Sequence, residues 1–126
     1  MNIPSEYKYT KEHEWILVEG STATIGITDF AASELGDIVF IDIDANLTSI
    51  TGGEKFGTIE AVKTVSDLFA PCSGKVIEIN SSLNASPETV NNEPYTNGWM
   101  IKIEIANTDE LSGLLSADDY SKIIGH

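Results

Sequence analysis

The sequence contains no arginine and only seven lysines, set against twenty acidic residues in a chain of 126. Its formal net charge is −13. Neutralising phosphates takes clustered Lys and Arg, so this balance argues against nucleic acid as a partner and against an anionic membrane surface. Without a guanidinium there is no planar fork for gripping phosphate or carboxylate ligands. The acidity favours partners that present positive surfaces, although a merely solvated acidic surface would read the same way. A single cysteine, Cys72, leaves no intrachain disulfide and fits a reducing compartment. With two histidines, His13 and His126, it offers no metal-ligand spacing. A cysteine enzyme would need Cys72 with one of those histidines as its base. Following Pro71 in a turn, Cys72 reads instead as a small apolar residue. No run approaches the ~18 apolar residues that span a membrane. The start, MNIPSEYKYTKEHEW, has neither an apolar h-region nor the Arg/Ser-rich character of a transit sequence. The expected location is the cytoplasm, or the mitochondrial matrix if a eukaryotic chain has lost a presequence.

What is present fits one globular domain over 1–126, with a hydrophobic fraction of 41%. Residues 15–27 hold two β-rich runs flanking Glu19-Gly20-Ser21, a hairpin pattern. In 28–36, TDFAASELG, Thr28 is a plausible N-cap and Gly36 a stop, which predicts one short helix over 29–35. DIVFIDIDA reads as a strand with Ile38, Phe40 and Asp42 on one side and Val39, Ile41 and Ile43 on the other. Further strands are predicted after Gly52-Gly53, in TVSDLF, in SGKVIEIN with Val76 and Glu78 opposite Ile77 and Ile79, and in WMIKIEI. Residues 80–98 read as a loop. Two short helices close the chain, one capped by Asn107 and one by Ser116.

Residues 28–42 can also be laid on residues 66–80, with Asp29 on Asp67, Ala32 on Ala70, Gly36 on Gly74 and Ile41 on Ile79. This weak repeat is consistent with two related β-halves. Short strands with turns between them, plus peripheral helices, give an all-β fold of sandwich or barrel type.

One lysine stands out. In IEAVKTVSDLF, Lys63 has no charged residue directly beside it, and the nearest carboxylates are Glu60 and Asp67. Two strands meeting near 62–63 would form a hairpin with no Gly, Asn, Pro or Asp at its tip, which a type I turn tolerates. On the local pattern alone, an ordinary exposed strand lysine is the better explanation.

The segment GTIEAVKTVSDLFAPCSGKVIEIN closely resembles the lipoyl-attachment region of the glycine cleavage H-protein family. KEHEWI at 11–16, TIGITDFA at 24–31, LGDIVFIDI at 35–43 and NEPYTNGWMIKI at 92–103 resemble the same family in the same order. The resemblance covers nearly the whole chain. It implies a barrel-sandwich hybrid of two related β-halves, with lipoic acid in amide linkage on Lys63 at a hairpin tip. It implies a non-catalytic carrier of the glycine cleavage system. Such a carrier takes the aminomethyl group from a pyridoxal-phosphate glycine decarboxylase (P-protein) to a tetrahydrofolate-dependent aminomethyltransferase (T-protein). It then passes its dithiol to dihydrolipoyl dehydrogenase (L-protein). A lipoate-attaching enzyme is a further partner, and a monomer is expected.

The same resemblance links Glu60 and Gly74 to recognition by the attaching enzyme, although an exposed strand carboxylate and a turn glycine would look alike. It points to Glu14 as the partner of the cationic aminomethyl amine, whose burial alone would be costly. Asp67 is a weaker candidate through its closeness to Lys63, and its match with Asp29 in the repeat favours a structural role. A departure from the family pattern is Phe30, where many relatives have His. A biotin carrier usually shows Met on both sides of its lysine, and this chain has Val62 and Thr64 there. Lipoyl domains of 2-oxo-acid dehydrogenases usually show Asp before the lysine. An alternative within the family, a lipoyl donor that serves other complexes, needs the same Lys63.

Overall fold

The computed structural model describes residues 2–125. The strands are β1 (Lys8–Tyr9), β2 (Glu14–Glu19), β3 (Thr22–Ile27), β4 (Ile38–Asp42), β5 (Ser49–Ile50), β6 (Lys55–Ala61), β7 (Val65–Phe69), β8 (Gly74–Ile79) and β9 (Ile101–Ile105). The helices are α1 (Asp29–Leu35), α2 (Thr89–Asn92) and α3 (Ala117–Ile124), with single 3-10 segments at Ser81–Asn84 and Thr108–Gly113. One antiparallel sheet runs β1-β2-β3-β9-β8-β5, and a second runs β4-β6-β7. This is the expected all-β barrel-sandwich hybrid with short peripheral helices.

Local sequence explains several boundaries. Thr28 caps α1 by accepting the N–H of Ala31, and Gly36 ends it at φ 78°, where a Cβ would be strained. Ser116 accepts from the N–H of Asp119 to start α3, and Asn107 accepts from Asp109 to start the preceding 3-10 segment. All three caps lie where the sequence places them.

The alternation read for two strands does not hold. Ile38 and Ile41 are both buried, while Val39 and Phe40 are exposed, because the β4–β6 register shifts between Ile38 and Phe40. An extra residue in a strand turns the following side chains to the opposite face. The β8–β9 pair shifts between Val76 and Glu78, so Val76 and Ile79 both pack on the core and Ile77 is left exposed. These bulges fall at matching positions of the weak repeat, Ile38 on Val76 and Phe40 on Glu78. The repeat therefore holds for its strands. It fails for its first half, where helix α1 lies opposite strand β7.

The loop expected over 80–98 is also corrected. It contains a 3-10 turn and α2, anchored by the buried side chains of Leu83 and Val90.

Two apolar clusters form the interior. The larger, built around Ile16, Ile25, Ile59, Leu68, Ile101 and Ile103, fills the space between the sheets. The smaller joins Tyr9, Trp15, Tyr95 and Tyr120 on the far side of β2. Trp15 and Ile16 are consecutive and both buried, so β2 is covered on both faces. Each such side chain contributes on the order of 2 kcal/mol by leaving water.

Candidate functional site

Lys63 lies in the loop joining β6 to β7, between the last paired residues Glu60 and Val65. The N–H of Ala61 donates to the carbonyl of Thr64 at 2.8 Å and closes the turn. The N–H of Val62 donates to the carbonyl of Asp37 at 3.0 Å and ties the tip to the connector before β4. Val62, Lys63 and Thr64 are all exposed, and Val62 is 72% exposed. Negative φ angles throughout this turn explain why it needs no glycine. Among the described residues Lys63 makes no ion pair, so its amine is accessible.

Glu14 opens β2 opposite Ile27 and is only 2% exposed. Its Oε1 accepts the hydroxyl of Thr10 at 2.7 Å, and its Oε2 faces the N–H of Phe69 at 3.4 Å. Burial pushes its carboxyl up to about 7, opposed by the bonds from Thr10 and Phe69. The preceding turn is tight. The N–H of Glu14 donates to Thr10 Oγ1, and His13 sits at φ 70°, a left-handed conformation that a non-glycine residue adopts at a cost of about 1–2 kcal/mol. Thr28 holds the carbonyl of His13, and Tyr120 holds its ring through an Nδ1···Oη contact of 2.8 Å. Burial lowers the His13 pKa below its usual value, while the charges of Glu12 and Glu34 act the other way.

Beside the Lys63 hairpin lies a cavity of about 310 Å³. Its apolar part comes from Ile27, Phe30, Leu35, Ile59 and Leu68. Its polar part is Glu12, His13, Glu14, Glu34, Ser66 and Asp67. Four carboxylates and no lysine line it, which suits a cationic guest and disfavours an anionic one.

The two sequence candidates Glu14 and Asp67 thus meet at one cavity, but they are not equivalent. Asp67 is paired with Lys55 at 3.2 Å, so its charge already has a partner. Glu60 and Gly74 lie elsewhere. Glu60 is half-buried in β6, directly between Phe40 and Val65. Gly74 is buried at the start of β8, where a Cβ would come within 2.5 Å of the carbonyl oxygen of Glu104. Its lack of a side chain has a packing cause. Cys72 is fully buried, with its thiol pushed up to about 11 chiefly by burial, as an inert core cysteine would be. His126 lies outside the described residues.

Sequence reasoning missed Glu12, Glu34 and Ser66 as lining residues. Phe30 and Glu34 stand one helical turn apart on α1, a spacing that places them on one face. Phe30, noted only as a departure, stacks obliquely on His13 with ring centroids 5.1 Å apart. It gives the cavity an apolar wall. Tyr120 was also missed, because only the tertiary fold brings α3 to His13.

Residues 7–126 match the family model described as Glycine cleavage H-protein. The chain belongs to the glycine cleavage H-protein family. It is 54% identical over 125 residues to a glycine cleavage system H protein of Staphylococcus epidermidis, covering 99% of each chain. A glycine cleavage system H protein of Staphylococcus haemolyticus gives the same identity and coverage. The crystal structure of a glycine cleavage system H protein from Mycobacterium marinum is 35% identical, with a TM-score of 0.89 over 98% of this chain and 100% of that one. As an H-protein, the chain is a lipoyl carrier in glycine cleavage and a carrier subunit, not a catalyst. Its cofactor is lipoic acid, held covalently on a lysine as in the rest of the H-protein family.

Proposed function

We propose that Lys63 is the lipoyl-bearing lysine and that the acid-lined cavity shelters the cationic end of the loaded arm, with Glu14 as its main counter-charge. The observation that supports this most is the placement of Glu14, buried and facing a cavity that the Lys63-bearing hairpin itself helps to line. The residues fit the group. The amine of Lys63 is exposed on a turn held at two backbone points, and the nearby cavity combines apolar walls with carboxylates.

When bound, lipoic acid supplies the disulfide that accepts the aminomethyl fragment of glycine. The chain's own residues do the rest. Glu14, with a pKa near 7 when no cation is present, becomes ionised opposite an ammonium and loses its proton to solvent. Ile59, Leu68 and Phe30 keep water from the loaded end. Asp67 contributes less, since Lys55 holds its carboxylate.

The partners in this proposal are the P-protein, the T-protein, the L-protein and a lipoate-attaching enzyme. The chain acts as a monomer, in one carrier domain over 1–126, in the cytoplasm. A donor of lipoyl groups to other complexes would need Lys63 but no counter-charge for an amine, so the buried Glu14 favours the shuttle. The test is reconstitution of the lipoylated protein with the pyridoxal-phosphate decarboxylase and labelled glycine. Wild type is expected to take up the label, and Glu14→Ala to lose it to water several-fold faster. Failure of the lipoylated wild type to accept label contradicts the shuttle.

A further inference from the structure

Thr10 lies in the turn between β1 and β2. Tyr9 before it is fully buried, stacked on Tyr120 with ring centroids 4.8 Å apart, and exchanges backbone hydrogen bonds with Leu115 in both directions. Packing therefore fixes where the chain enters the turn. From there Thr10 binds residues 13 and 14 with every polar group it has. Its N–H donates to the carbonyl of Glu14 at 3.0 Å, and its carbonyl accepts the N–H of His13 at 3.1 Å. Its hydroxyl oxygen accepts the N–H of Glu14 at 3.1 Å, and the hydroxyl donates to Oε1 of the same residue at 2.7 Å. A hydroxyl has one proton and two lone pairs. The Glu14 N–H takes a lone pair, and an ionised carboxylate can only accept, so the proton is directed at Oε1. The backbone and the side-chain tip of Glu14 are thus tied to one oxygen.

Glu14 stands between two cavities. One is the cavity beside the Lys63 hairpin. The other, about 300 Å³, is lined by Thr10, Gly53, Phe69 and Pro71, and Glu12 and Glu14 belong to both. Thr10 and Phe69 line only the second, so they hold the carboxylate from that side. A carboxylate has about four acceptor positions, which leaves some for a guest in the first cavity. The two holds are unequal. The contact from the Phe69 N–H is long at 3.4 Å, whereas the Thr10 bond at 2.7 Å has ordinary hydroxyl geometry.

We infer that Thr10 is a positioning residue for the amine site, whose hydroxyl keeps the carboxylate of Glu14 in place for a cationic guest. Its role rests on that of Glu14 as counter-charge. The other titratable groups around Glu14 are Glu12 and His13 on its own turn, Glu34 on α1, Asp67 on β7 and Tyr120 on α3. Among the described residues only Thr10 and Phe69 donate to its carboxylate. The Thr10 bond also favours the ionised form, against the burial that opposes it. Without the hydroxyl, the carboxylate would be free to turn into the second cavity and would ionise less readily near neutral pH.

The test compares wild type with Thr10→Val, which keeps the branched shape and removes the hydroxyl, and with Thr10→Ser, which keeps the hydroxyl. Thr10→Ala repeats the first measurement should Thr10→Val melt early. In the unlipoylated protein, 13C NMR follows the Glu14 carboxyl from about pH 5 to 9, and its midpoint should rise by about half a pH unit or more in Thr10→Val. In the lipoylated protein loaded with labelled glycine and the decarboxylase, Thr10→Val should lose label to water about threefold faster near pH 7. Thr10→Ser should recover both values. On a Glu14→Gln background, Thr10→Val should add nothing. A wild-type midpoint and wild-type label loss in Thr10→Val overturn the role of Thr10, and so does a loss that persists in full on the Glu14→Gln background or in Thr10→Ser. If Glu14→Gln alone holds label as well as wild type, the counter-charge falls, and the role of Thr10 falls with it.

Discussion

The backbone N–H of Phe69 faces Oε2 of Glu14 across 3.4 Å, joining the start of β2 in one sheet to the end of β7 in the other. The carboxylate that lines the cavity is thereby referenced to the strand that follows Lys63. Movement of the hairpin relative to β2 would alter the hydrogen bonding of Glu14, and with it the charge facing the guest.

Glu14 should make the fold more stable in acid than at neutral pH, opposite to the behaviour of a salt-bridged carboxylate. Its folded pKa of about 7 lies above the ordinary 4.5, so between those values the native state binds more protons than the unfolded chain. Stability then falls as pH rises through that window. At about 1.4 kcal/mol per pH unit, the effect is capped at about 3 kcal/mol. Urea unfolding of the unlipoylated protein from pH 4.5 to 8 should show Glu14→Gln gaining on wild type across the interval. A difference that stays flat with pH would contradict the buried carboxylate.

Gly74→Ala should cost about 1–3 kcal/mol, because a Cβ within 2.5 Å of the Glu104 carbonyl forces β8 away from β9. Thermal unfolding measures this directly. If the variant lipoylates slowly yet melts like wild type, Gly74 acts in recognition and not in packing.

Much of the fold was legible because its signals are local. Thr28, Gly36 and Ser116 mark helix ends through their own hydrogen-bonding and conformational preferences, and the 19–22 turn follows from Gly20 between β-rich runs. The bulges at Ile38/Phe40 and Val76/Glu78 were not legible, since counting alternate residues assumes an unbroken pleat. The helical turns within 80–98 hid behind Asn, Ser and Pro. The isolated apolar residues Leu83 and Val90 were the available hint. In the site, Lys63 and Glu14 stood out through motif resemblance. Glu34 and Ser66 join them only because the fold brings α1 and β7 to the rim of one cavity, which no local pattern encodes.

Asp67→Asn should change stability by no more than about 1 kcal/mol, since its pair with Lys55 is about half exposed. It should also slow hydrolysis-protected transfer less than Glu14→Gln does. A larger effect from Asp67 in the labelled-glycine assay would exchange the roles given to the two carboxylates.

Cys72 should resist alkylation by iodoacetamide in the folded protein, because it is fully buried and its thiol is pushed up to about 11. Rapid native labelling, followed by mass spectrometry, would show that the interior between the sheets opens far more readily than its packing implies.

The most direct measurement of all is the intact mass of wild type and Lys63→Ala after incubation with a lipoate–protein ligase, lipoate and ATP. One lipoyl group should appear on wild type and none on the variant. A wild-type protein that stays at its sequence mass, or a variant that still gains the group, would contradict Lys63 as the bearer of the arm.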